Sequence, residues 1–528
     1  MDGSTPRASR LPAIGVIAGA AALVAALTTA VFLIRAGGDP ADAATWPITW
    51  ELRSSDNGSL FQFLQDAVAG RPLDWRFSPQ VYVFPELPLS ALAFAVAGGS
   101  VYGYYLVVAA SANALMFLAI LALARVLFPA DRPVQSVLRA GIATLPLLAL
   151  PLIGTSWIFS FHLAPTYYLG MYAALIVSPV VVLARTRGVR IALAGALALT
   201  AASNPLALLF AAPGTAIALV LLVIRRGSRA ALRPVALVGG MLAVTLVLRV
   251  LMTPLQGTSP FTYVDAGVFA RRLAAIGPYY GYQMRDAAAG LLIPLGIALA
   301  ILCLVVAGLA AGVWLRARTP DPRLLAVVLL GTVPLGGLAA TYLMMITHYY
   351  YFWPVLVLPF VLVLLAVPRV ALPSVLAGGA AGLLAIAIVT GLTTNLATAS
   401  RFFGYRGDEM ACIDAAVPGQ TGYATFSDAR RLSLTSRTGV RLIQVVADGT
   451  PSNWLANTAT PRTVTGTFFY VNGYGDEREL DEQGMRDRFG PPDREVGCSD
   501  RQRILIYDDP EKIALITRFY AETRAHPR

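Results

Sequence analysis

Charged residues are scarce in this sequence. They make up 13% of its 528 residues, against 56% hydrophobic residues, and the mean hydropathy is +0.64. This scarcity of charge excludes a soluble globular chain. Lysine is almost missing, since Lys512 is the sole example, and the abundance of alanine and arginine is typical of a GC-rich bacterial genome. No spacing of His, Asp or Glu predicts a metal site, so the sequence leaves open whether a divalent metal takes part.

The sequence is instead rich in long apolar runs. Runs of about 18 residues or more recur along the chain, and each is long enough to cross a hydrocarbon core of about 30 Å. The sequence therefore predicts a polytopic α-helical membrane protein with about eleven transmembrane helices. The predicted spans are 11–35, 101–125, 139–155, 167–184, 190–203, 205–224, 233–251, 288–315, 323–345, 350–367 and 370–394.

The net charge of +11 is concentrated in short loops. A bias of Lys and Arg toward short loops marks the cytoplasmic side of a membrane protein. These arginines are therefore topology signals and do not indicate nucleic-acid binding. We expect a multi-pass protein of the bacterial plasma membrane, with a cytoplasmic N-terminus and the long loops on the outer face. The arginine-rich loops contain Arg125, Arg132 and Arg139; Arg185, Arg187 and Arg190; Arg225, Arg226, Arg229 and Arg233; and Arg316, Arg318 and Arg323.

Residues 396–528 differ from the rest of the chain, because charged residues become frequent and apolar runs shorten. Strand-like pieces such as TGYATF and TVTGTFFYV alternate there with helical pieces. The pattern predicts a small extracytoplasmic α/β domain that follows a membrane domain of residues 1–395. Cys412 and Cys498 both fall in this domain. An oxidising compartment favours a disulfide between them, and two unlinked buried thiols are the alternative.

The first predicted outer loop, residues 36–100, contains an amphipathic segment. The turn Asp56-Asn57-Gly58-Ser59 predicts a capped helix N-terminus, and Gly70 predicts the helix end. Apolar residues line one face of this helix and polar residues, among them Asp66, line the other. A short helix of this kind lies in the membrane interface. The following piece, FPELPLSALAFAVAGG (Phe84–Gly99), is too short for a comfortable span and predicts a second interfacial or re-entrant helix.

The beginning of the chain resembles the GT-C glycosyltransferases. The resemblance rests on an acid shortly after the first span, an amphipathic helix that ends in glycine, and the step FPELPL before the second full span. The segment THYYYFWPVLVLPFVLVLL (Thr347–Leu365) is similar to the family's RYxxPxxP segment, with His348 where arginine is usual. The resemblance implies an inverting glycosyltransferase of cell wall biogenesis. Such an enzyme moves a hexosyl or pentosyl group from a polyprenyl-phosphate donor to a cell-envelope glycan or glycolipid acceptor on the outer face.

The resemblance also implies roles for acidic residues. A positioned carboxylate can accept the proton that the acceptor hydroxyl loses. Asp56 matches the family's catalytic acid, and Glu86 is a second carboxylate on the same loop. Both have a structural alternative, which is a helix cap for Asp56 and a solvated loop acid for Glu86. Three further acids on this loop are rivals for the catalytic role: Asp39, Asp42 and Asp74.

Basic and aromatic residues at the predicted outer face are candidates for substrate binding. A departing phosphate needs a nearby positive charge, and flat aromatic rings suit sugar rings. The candidates are His162, Arg249, Arg271, Arg272, Tyr279, Tyr280, Arg285 and His348. Arg249 is an ionisable group inside a span, which by default indicates a site. The histidines could instead form structural hydrogen bonds. The loop arginines could instead form ion pairs with Asp265 and Asp286 or contact lipid headgroups.

Other functions stay open at this stage. A transporter or flippase of lipid-linked sugars would place ionisable groups near the middle of several spans, whereas the central parts of these spans are almost free of charge. A polysaccharide polymerase or ligase would use the same outer face, and a non-catalytic envelope scaffold would bind wall glycans through its C-terminal domain. We expect the partners to be a polyprenyl-phosphate sugar donor, a glycan or glycolipid acceptor and membrane lipids, with no nucleic acid.

Overall fold

The structure is a computed structural model, and it consists of a long helical part followed by a mixed β-sheet with helices. It describes residues 11–37, 56–153, 157–164, 168–184, 186–257, 274, 285, 287–319, 321–344, 349–366, 382, 385, 388–394, 407–452, 454–459, 467–473 and 479–525.

The helical part is built from long apolar helices joined by short ones. Two helices and a short strand lie in the segment between the first two long helices, which we call the α1–α4 connection (described residues 56–100). The elements are α1 (Leu11–Ala36), α2 (Ser59–Val68), β1 (Trp75–Arg76), α3 (Glu86–Ala97), α4 (Val101–Leu127), α5 (Pro133–Ile153), α6 (Trp157–Ser160) with a 3₁₀ turn (Phe161–Leu163), α7 (Leu169–Leu183), α8 (Arg187–Ser203), α9 (Leu206–Met252), α10 (Ala287–Arg316), α11 (Arg323–Gly331), α12 (Val333–Met344), α13 (Tyr349–Leu356) and α14 (Leu358–Ala366).

The chain is a polytopic helical membrane protein. Within the described residues, seven helical segments are long and apolar enough to cross a membrane, and three more apolar helices are shorter. The large apolar side chains Leu246, Val250 and Leu309 of these segments are more than 60% exposed, as expected for surface that contacts lipid. The seven segments are Ala13–Ala36, Val101–Leu127, Pro133–Ile153, Leu206–Arg225, Leu232–Leu255, Gly290–Arg316 and Arg323–Ala340.

Seven of the eleven predicted spans correspond to these seven segments. The predicted spans 167–184 and 350–367 fall on two of the shorter apolar helices, and 190–203 falls on α8, which is not among the candidate spans, so the count of eleven stays a prediction. The arginine-rich segment 225–233 separates two candidate spans, as predicted, although most of it is helical and counts as part of α9. The two apolar segments of α9 are separated by a kink at Gly227, which has a φ of 74° that glycine adopts without steric cost. The predicted span 370–394 falls for the most part outside the described residues.

The C-terminal unit, described residues 407–525, is a five-stranded sheet between two layers of helices. The elements are α15 (Asp408–Ala416), β2 (Thr421–Thr425), α16 (Phe426–Thr435), β3 (Arg441–Val445), β4 (Ala456–Asn457), β5 (Thr467–Asn472), α17 (Glu482–Phe489), β6 (Arg494–Ser499), β7 (Gln502–Tyr507) and α18 (Pro510–Ala525). The strand order is β3-β2-β5-β7-β6, in which β2 pairs in parallel with β3 and β5, and β7 pairs antiparallel with β5 and β6.

Strand β5 shows why this sheet is covered on both faces. Its side chains alternate, so that Phe468 and Tyr470 belong to one buried cluster while Phe469 and Val471 belong to another. A strand that is buried on both faces has a nearly continuous apolar sequence, and TFFYV is such a sequence. The first cluster also contacts Cys412 and Cys498, and these residues form the disulfide expected from the sequence.

The α1–α4 connection joins the two parts of the molecule. Strand β1 pairs antiparallel with β4 of the C-terminal unit. The backbone N–H of Phe77 donates to the carbonyl of Leu255 at 2.7 Å, and that of Val81 donates to Ser203 at 2.9 Å. The connection is therefore held between the ends of the helices on one side and the C-terminal sheet on the other.

Candidate active site

Helix α2 is fixed by its apolar side. Phe61 is fully buried, and its ring lies 5.2 Å from Phe94 of α3 and 5.1 Å from Tyr104 of α4. The same buried cluster contains Val31 and Phe32 of α1. Apolar burial of this extent holds the first residues of α2 over the ends of α1 and α4.

Asp56 lies just before α2, and its carboxylate does not cap that helix. The N-cap residue is Gly58, and no side chain accepts a hydrogen bond from the first turn. The capping alternative for Asp56 is therefore wrong. The backbone carbonyl of Asp56, and not its carboxylate, accepts hydrogen bonds from Ser59, one of them from the N–H at 3.2 Å.

The Asp56 carboxylate is buried, and its Oδ1 has no hydrogen-bond partner. Burial raises the pKa of Asp56 to about 6, because the charged form loses its hydration, while the positive charge of Arg430 acts in the opposite direction. A carboxylate with a pKa near 6 is mostly deprotonated at neutral pH but binds a proton more readily than a solvated aspartate. This combination suits a general base.

Arg430 reaches this place from α16 of the C-terminal unit. It is 3% exposed, and its Nε donates to Oε1 of Gln62 at 3.1 Å. Burial lowers the pKa of Arg430 to about 10, and the carboxylate of Asp56 acts against that shift. The approach depends on Gly58, since a Cβ atom there would overlap Leu434 and lie 3.1 Å from Cδ of Arg430.

Asp66 is the most heavily bonded acid of the connection, and it is fully buried. Its carboxylate accepts hydrogen bonds from four side chains that come from three segments of the chain. These donors are Arg71 at 2.8 Å, Asn457 at 2.8 Å, the Trp75 indole at 3.2 Å and Arg441 at 3.2 Å. Asp66 therefore ties α2 to β3 and β4, and the polar side of α2 is an interface with the C-terminal unit.

Glu86 begins α3 in a tight environment. It is 8% exposed. The backbone N–H groups of Glu86 and Gly170 face its carboxyl group, but neither carboxyl oxygen forms a hydrogen bond of normal length and angle. Burial raises the pKa of Glu86 to about 8, because those two N–H groups offset only part of the lost hydration. This pKa favours the protonated form at neutral pH, so the side chain is better suited to donate a proton than to accept one. The alternative of a solvated loop acid is wrong.

His162 is completely buried in the 3₁₀ turn between α6 and α7. Its Nε2 is hydrogen bonded to the carbonyl of Leu147 on α5, and its backbone carbonyl accepts from Nδ2 of Asn113 on α4 at 3.0 Å. Burial lowers the pKa of His162 to about 4, so the ring is neutral at pH 7. These contacts are structural, and a neutral ring is a poor partner for a phosphate. Its Nδ1 has no hydrogen-bond partner.

The remaining candidates divide into those that the structure describes and those that it does not. Arg249 donates to the carbonyl of Ala202 at the end of α8, at 3.2 Å. Asp74 is half-exposed, accepts from the hydroxyl of Thr458 at 2.6 Å and forms an ion pair with Arg76 at 3.3 Å, so this rival acid serves the contact with the C-terminal unit. Arg285 is exposed in a turn. The other candidates, Asp39, Asp42, Arg271, Arg272, Tyr279, Tyr280 and His348, lie outside the described residues.

A polar cavity of about 30 Å³ lies between α2 and the C-terminal unit. Its lining includes Gln62 and Arg430, and Gln444 contributes a buried Oε1 without a hydrogen-bond partner. A cavity of this size and polarity holds one or two water molecules. No three His, Cys, Asp or Glu side chains come together as metal ligands in the part of the chain that the structure describes.

Comparison with protein-family models, with curated proteins and with solved structures finds no match to this chain. The site is therefore defined by its own geometry. The structure places Asp56, Arg430 and Gln62 together and gives Glu86 separate surroundings beside Gly170. Sequence reasoning identified Asp56 but missed Arg430 and Asp66.

Proposed function

We propose that this protein is an inverting glycosyltransferase of the bacterial plasma membrane. It transfers a sugar from a polyprenyl-phosphate donor to a glycan or glycolipid acceptor on the outer face. The observation that carries the proposal is the state of Asp56, a buried carboxylate with an unpartnered Oδ1, a pKa of about 6 and no capping role. A buried carboxylate oxygen without a hydrogen-bond partner costs folding free energy, and groups with perturbed pKa values are concentrated at functional sites.

Asp56 acts as the general base of the reaction. Its Oδ1 accepts the proton of the acceptor hydroxyl while that oxygen attacks the anomeric carbon of the donor. The bond between the anomeric carbon and the phosphate oxygen breaks, and the polyprenyl phosphate leaves with the electron pair. The sugar is transferred with inversion, because attack and departure occur on opposite sides of the carbon.

The position of Asp56 fits a donor held in a membrane. The residue lies beside α2, which packs over the ends of the apolar helices α1 and α4. A lipid tail that lies along these helices would confine the reacting carbon to the ends of the helices. The donor and the acceptor hydroxyl would then meet with little further loss of translational and rotational freedom. Glu86 suits the role of base less well than Asp56, because a pKa of about 8 favours its protonated form at neutral pH.

The test uses the full chain in lipid nanodiscs with polyprenyl-phosphate hexoses and pentoses and a mixture of envelope glycans. Release of polyprenyl phosphate is measured by mass spectrometry, which does not require the acceptor to be known. Asp56→Asn should lower the rate about 10²–10⁴-fold, the usual effect of losing a general base. Because the carboxylate does not cap α2, Asp56→Ala should behave in the same way.

Asp74→Asn is the matched control, since Asp74 lies on the same connection but is bonded to Thr458. It should retain most of the activity. Wild-type turnover in Asp56→Asn, in protein with a normal thermal unfolding midpoint, would remove Asp56 as the base. Movement of the lipid donor across vesicles without any sugar transfer would favour the flippase alternative.

A further inference from the structure

Two arginine-rich segments come together at one end of the helical part. Helix α9 begins after Ser203 and ends before Leu255, and the carbonyls of these two residues accept hydrogen bonds from the α1–α4 connection. The kink at Gly227 separates the two apolar segments of α9, so it lies at the opposite end of the helical part. The C-terminal end of α10 lies there too, because Leu222 of α9 and Trp314 of α10 belong to one buried cluster.

A side chain of one segment is bonded to the backbone of the other. Nη2 of Arg225 donates to the carbonyls of Ala317 and Arg318, the latter at 3.2 Å. These carbonyls follow the last turn of α10, where the helix dipole is negative. The contact holds the kink of α9 against the end of α10, so the remaining arginines of both segments surround one place.

The two segments, 225–233 and 316–323, carry far more positive than negative charge. They contain seven arginines and one aspartate, which leaves six positive charges without an acid in these segments. The aspartate, Asp321, is bonded to Arg323. Four further arginines are exposed and form no hydrogen bond or ion pair through their side chains within the described part of the chain: Arg229, Arg233, Arg316 and Arg318. Like charges held together repel one another unless an anion lies between them.

The surface beside these arginines is apolar. Ile224, Leu232 and Val313 are 65%, 62% and 53% exposed, and each belongs to a segment that is long and apolar enough to cross a membrane. Arginines at the ends of such segments lie at the depth of the lipid headgroups. An anionic phospholipid matches both features, because its phosphate lies at that depth and its chains lie along the apolar surface. A free phosphate ion would match the arginines alone.

We propose that the arginines around the Gly227 kink and the end of α10 form a binding site for the headgroups of anionic phospholipids. The guanidinium groups donate charge-assisted hydrogen bonds to the lipid phosphate. An orientation signal needs only a number of arginines near the ends of spans, whereas this site needs the two segments to be held together. The bound lipid bridges α9 and α10. The inference does not rest on the proposed function, since the site lies at the opposite end of the helices from the α1–α4 connection.

The test measures lipid binding by the full chain. Short-chain phosphatidylglycerol and phosphatidylcholine are titrated against the protein in detergent, and the bound lipids are counted by native mass spectrometry. Phosphatidylglycerol should bind more tightly, and added salt should weaken its binding, because salt screens exposed charges. Arg229→Gln should weaken the binding of phosphatidylglycerol about 5-fold, the usual contribution of one arginine facing anionic lipid. Arg229→Lys keeps the charge and should bind nearly as tightly as the wild type.

Arg187→Gln is the matched control, because Arg187 is an exposed arginine at the start of α8, outside these two segments. It should leave the affinity for phosphatidylglycerol unchanged. Equal affinities of the wild type for the two lipids would overturn the proposal, and so would equal losses in Arg187→Gln and Arg229→Gln. Displacement of phosphatidylglycerol by an equal concentration of inorganic phosphate would assign the arginines to a free anion and would also overturn it. If Arg229→Gln does not fold, the lipid preference of the wild type and its salt dependence decide.

Discussion

Asp66 of α2 and Arg441 of β3 form an ion pair of 3.2 Å although 375 positions separate them in the sequence. The Asp66 side chain is completely inaccessible to solvent, whereas that of Arg441 is 27% exposed. A buried, charged carboxylate is costly unless donors replace its hydration, and here Arg71, Trp75 and Asn457 complete the set of donors. The polar side of α2 is therefore specific to the surface of the C-terminal unit.

Removing the negative charge of Asp66 should release the C-terminal unit. Asp66→Asn keeps the shape of the side chain but leaves Arg441 without its charged partner. Breaking a buried ion pair in this way costs about 3–5 kcal/mol. Hydrogen exchange should become faster in both β1 and β4, because their pairing depends on the same contact.

Asp74→Asn provides the comparison for this experiment. Asp74 is on the same segment, but its side chain is 54% exposed and its ion pair with Arg76 is at the surface. Exposed pairs contribute about 0–1 kcal/mol. Equal hydrogen exchange in the two variants would contradict the assignment of Asp66 as the main contact.

Gly170→Ala should disturb the surroundings of Glu86. A Cβ atom at Gly170 would overlap the ring of Pro85 and lie 2.6 Å from Oε1 of Glu86. Forcing an added methyl group into a packed site typically costs about 1–3 kcal/mol, measured as a lower thermal unfolding midpoint. Gly195→Ala on α8 meets no atom within 4 Å. That variant should be neutral or slightly more stable, so similar losses in both variants would refute the packing argument.

Glu86 should make the stability of the protein depend on pH. Its pKa is raised from 4.5 to about 8 in the folded state, so the folded protein binds more protons than the unfolded chain between these values. The free energy of unfolding therefore falls as pH rises through this window, by up to a few kcal/mol. Glu86→Gln cannot ionise and should lack this part of the fall. Thermal unfolding midpoints that differ by a constant amount from pH 5 to pH 9 would count against a buried, protonated Glu86.

The disulfide should stabilise the C-terminal unit. Cys412 and Cys498 are 86 positions apart, and closing a loop of that length restricts the unfolded chain strongly. Loss of the bond in Cys412→Ser should cost about 2–5 kcal/mol. Reductant should lower the unfolding midpoint of the wild type to that of the variant. Cys303→Ser, which changes the buried free cysteine of α10, should not remove the effect of reductant.

The orientation expected from the arginine-rich loops can be tested by cysteine labelling. Asp500→Cys and Thr319→Cys place thiols at exposed positions of the C-terminal unit and of the loop after α10. An impermeant reagent should label position 500 in intact cells, and position 319 only after permeabilisation. The reverse pattern would invert the topology and place Asp56 on the cytoplasmic side.

Sequence patterns predicted the apolar helices well, because a membrane span depends on the composition of a single segment. The predicted span 101–125 corresponds to α4 (Val101–Leu127), and 288–315 to α10 (Ala287–Arg316). The clustered arginines at 225–233 correctly predicted the break between two spans. The segment is nevertheless mostly helical, since arginine is a good helix former, and the break is a kink at Gly227.

The site was predictable only in part. Asp56 was found from its place after the first span, but the turn residues around it indicated a cap that the structure lacks. Asp66 was assigned only to the polar side of α2, because a helical pattern cannot show that Arg441 and Asn457 cover it. Contacts between such distant segments follow from tertiary packing, which no local pattern encodes.

The hydrogen bonds and ion pairs of Asp66 also link the assembly of the protein to the progress of its synthesis. Asp66 is made early, and its donors Arg441 and Asn457 are made only after the helices up to α14. A ribosome that stalls before residue 441 would release a chain with its apolar helices complete but its α1–α4 connection uncovered. Such a chain exposes the polar face of α2, including the carboxylate of Asp66, to solvent. The same ion pair that positions α2 thus distinguishes a chain translated past residue 457 from one that was abandoned earlier.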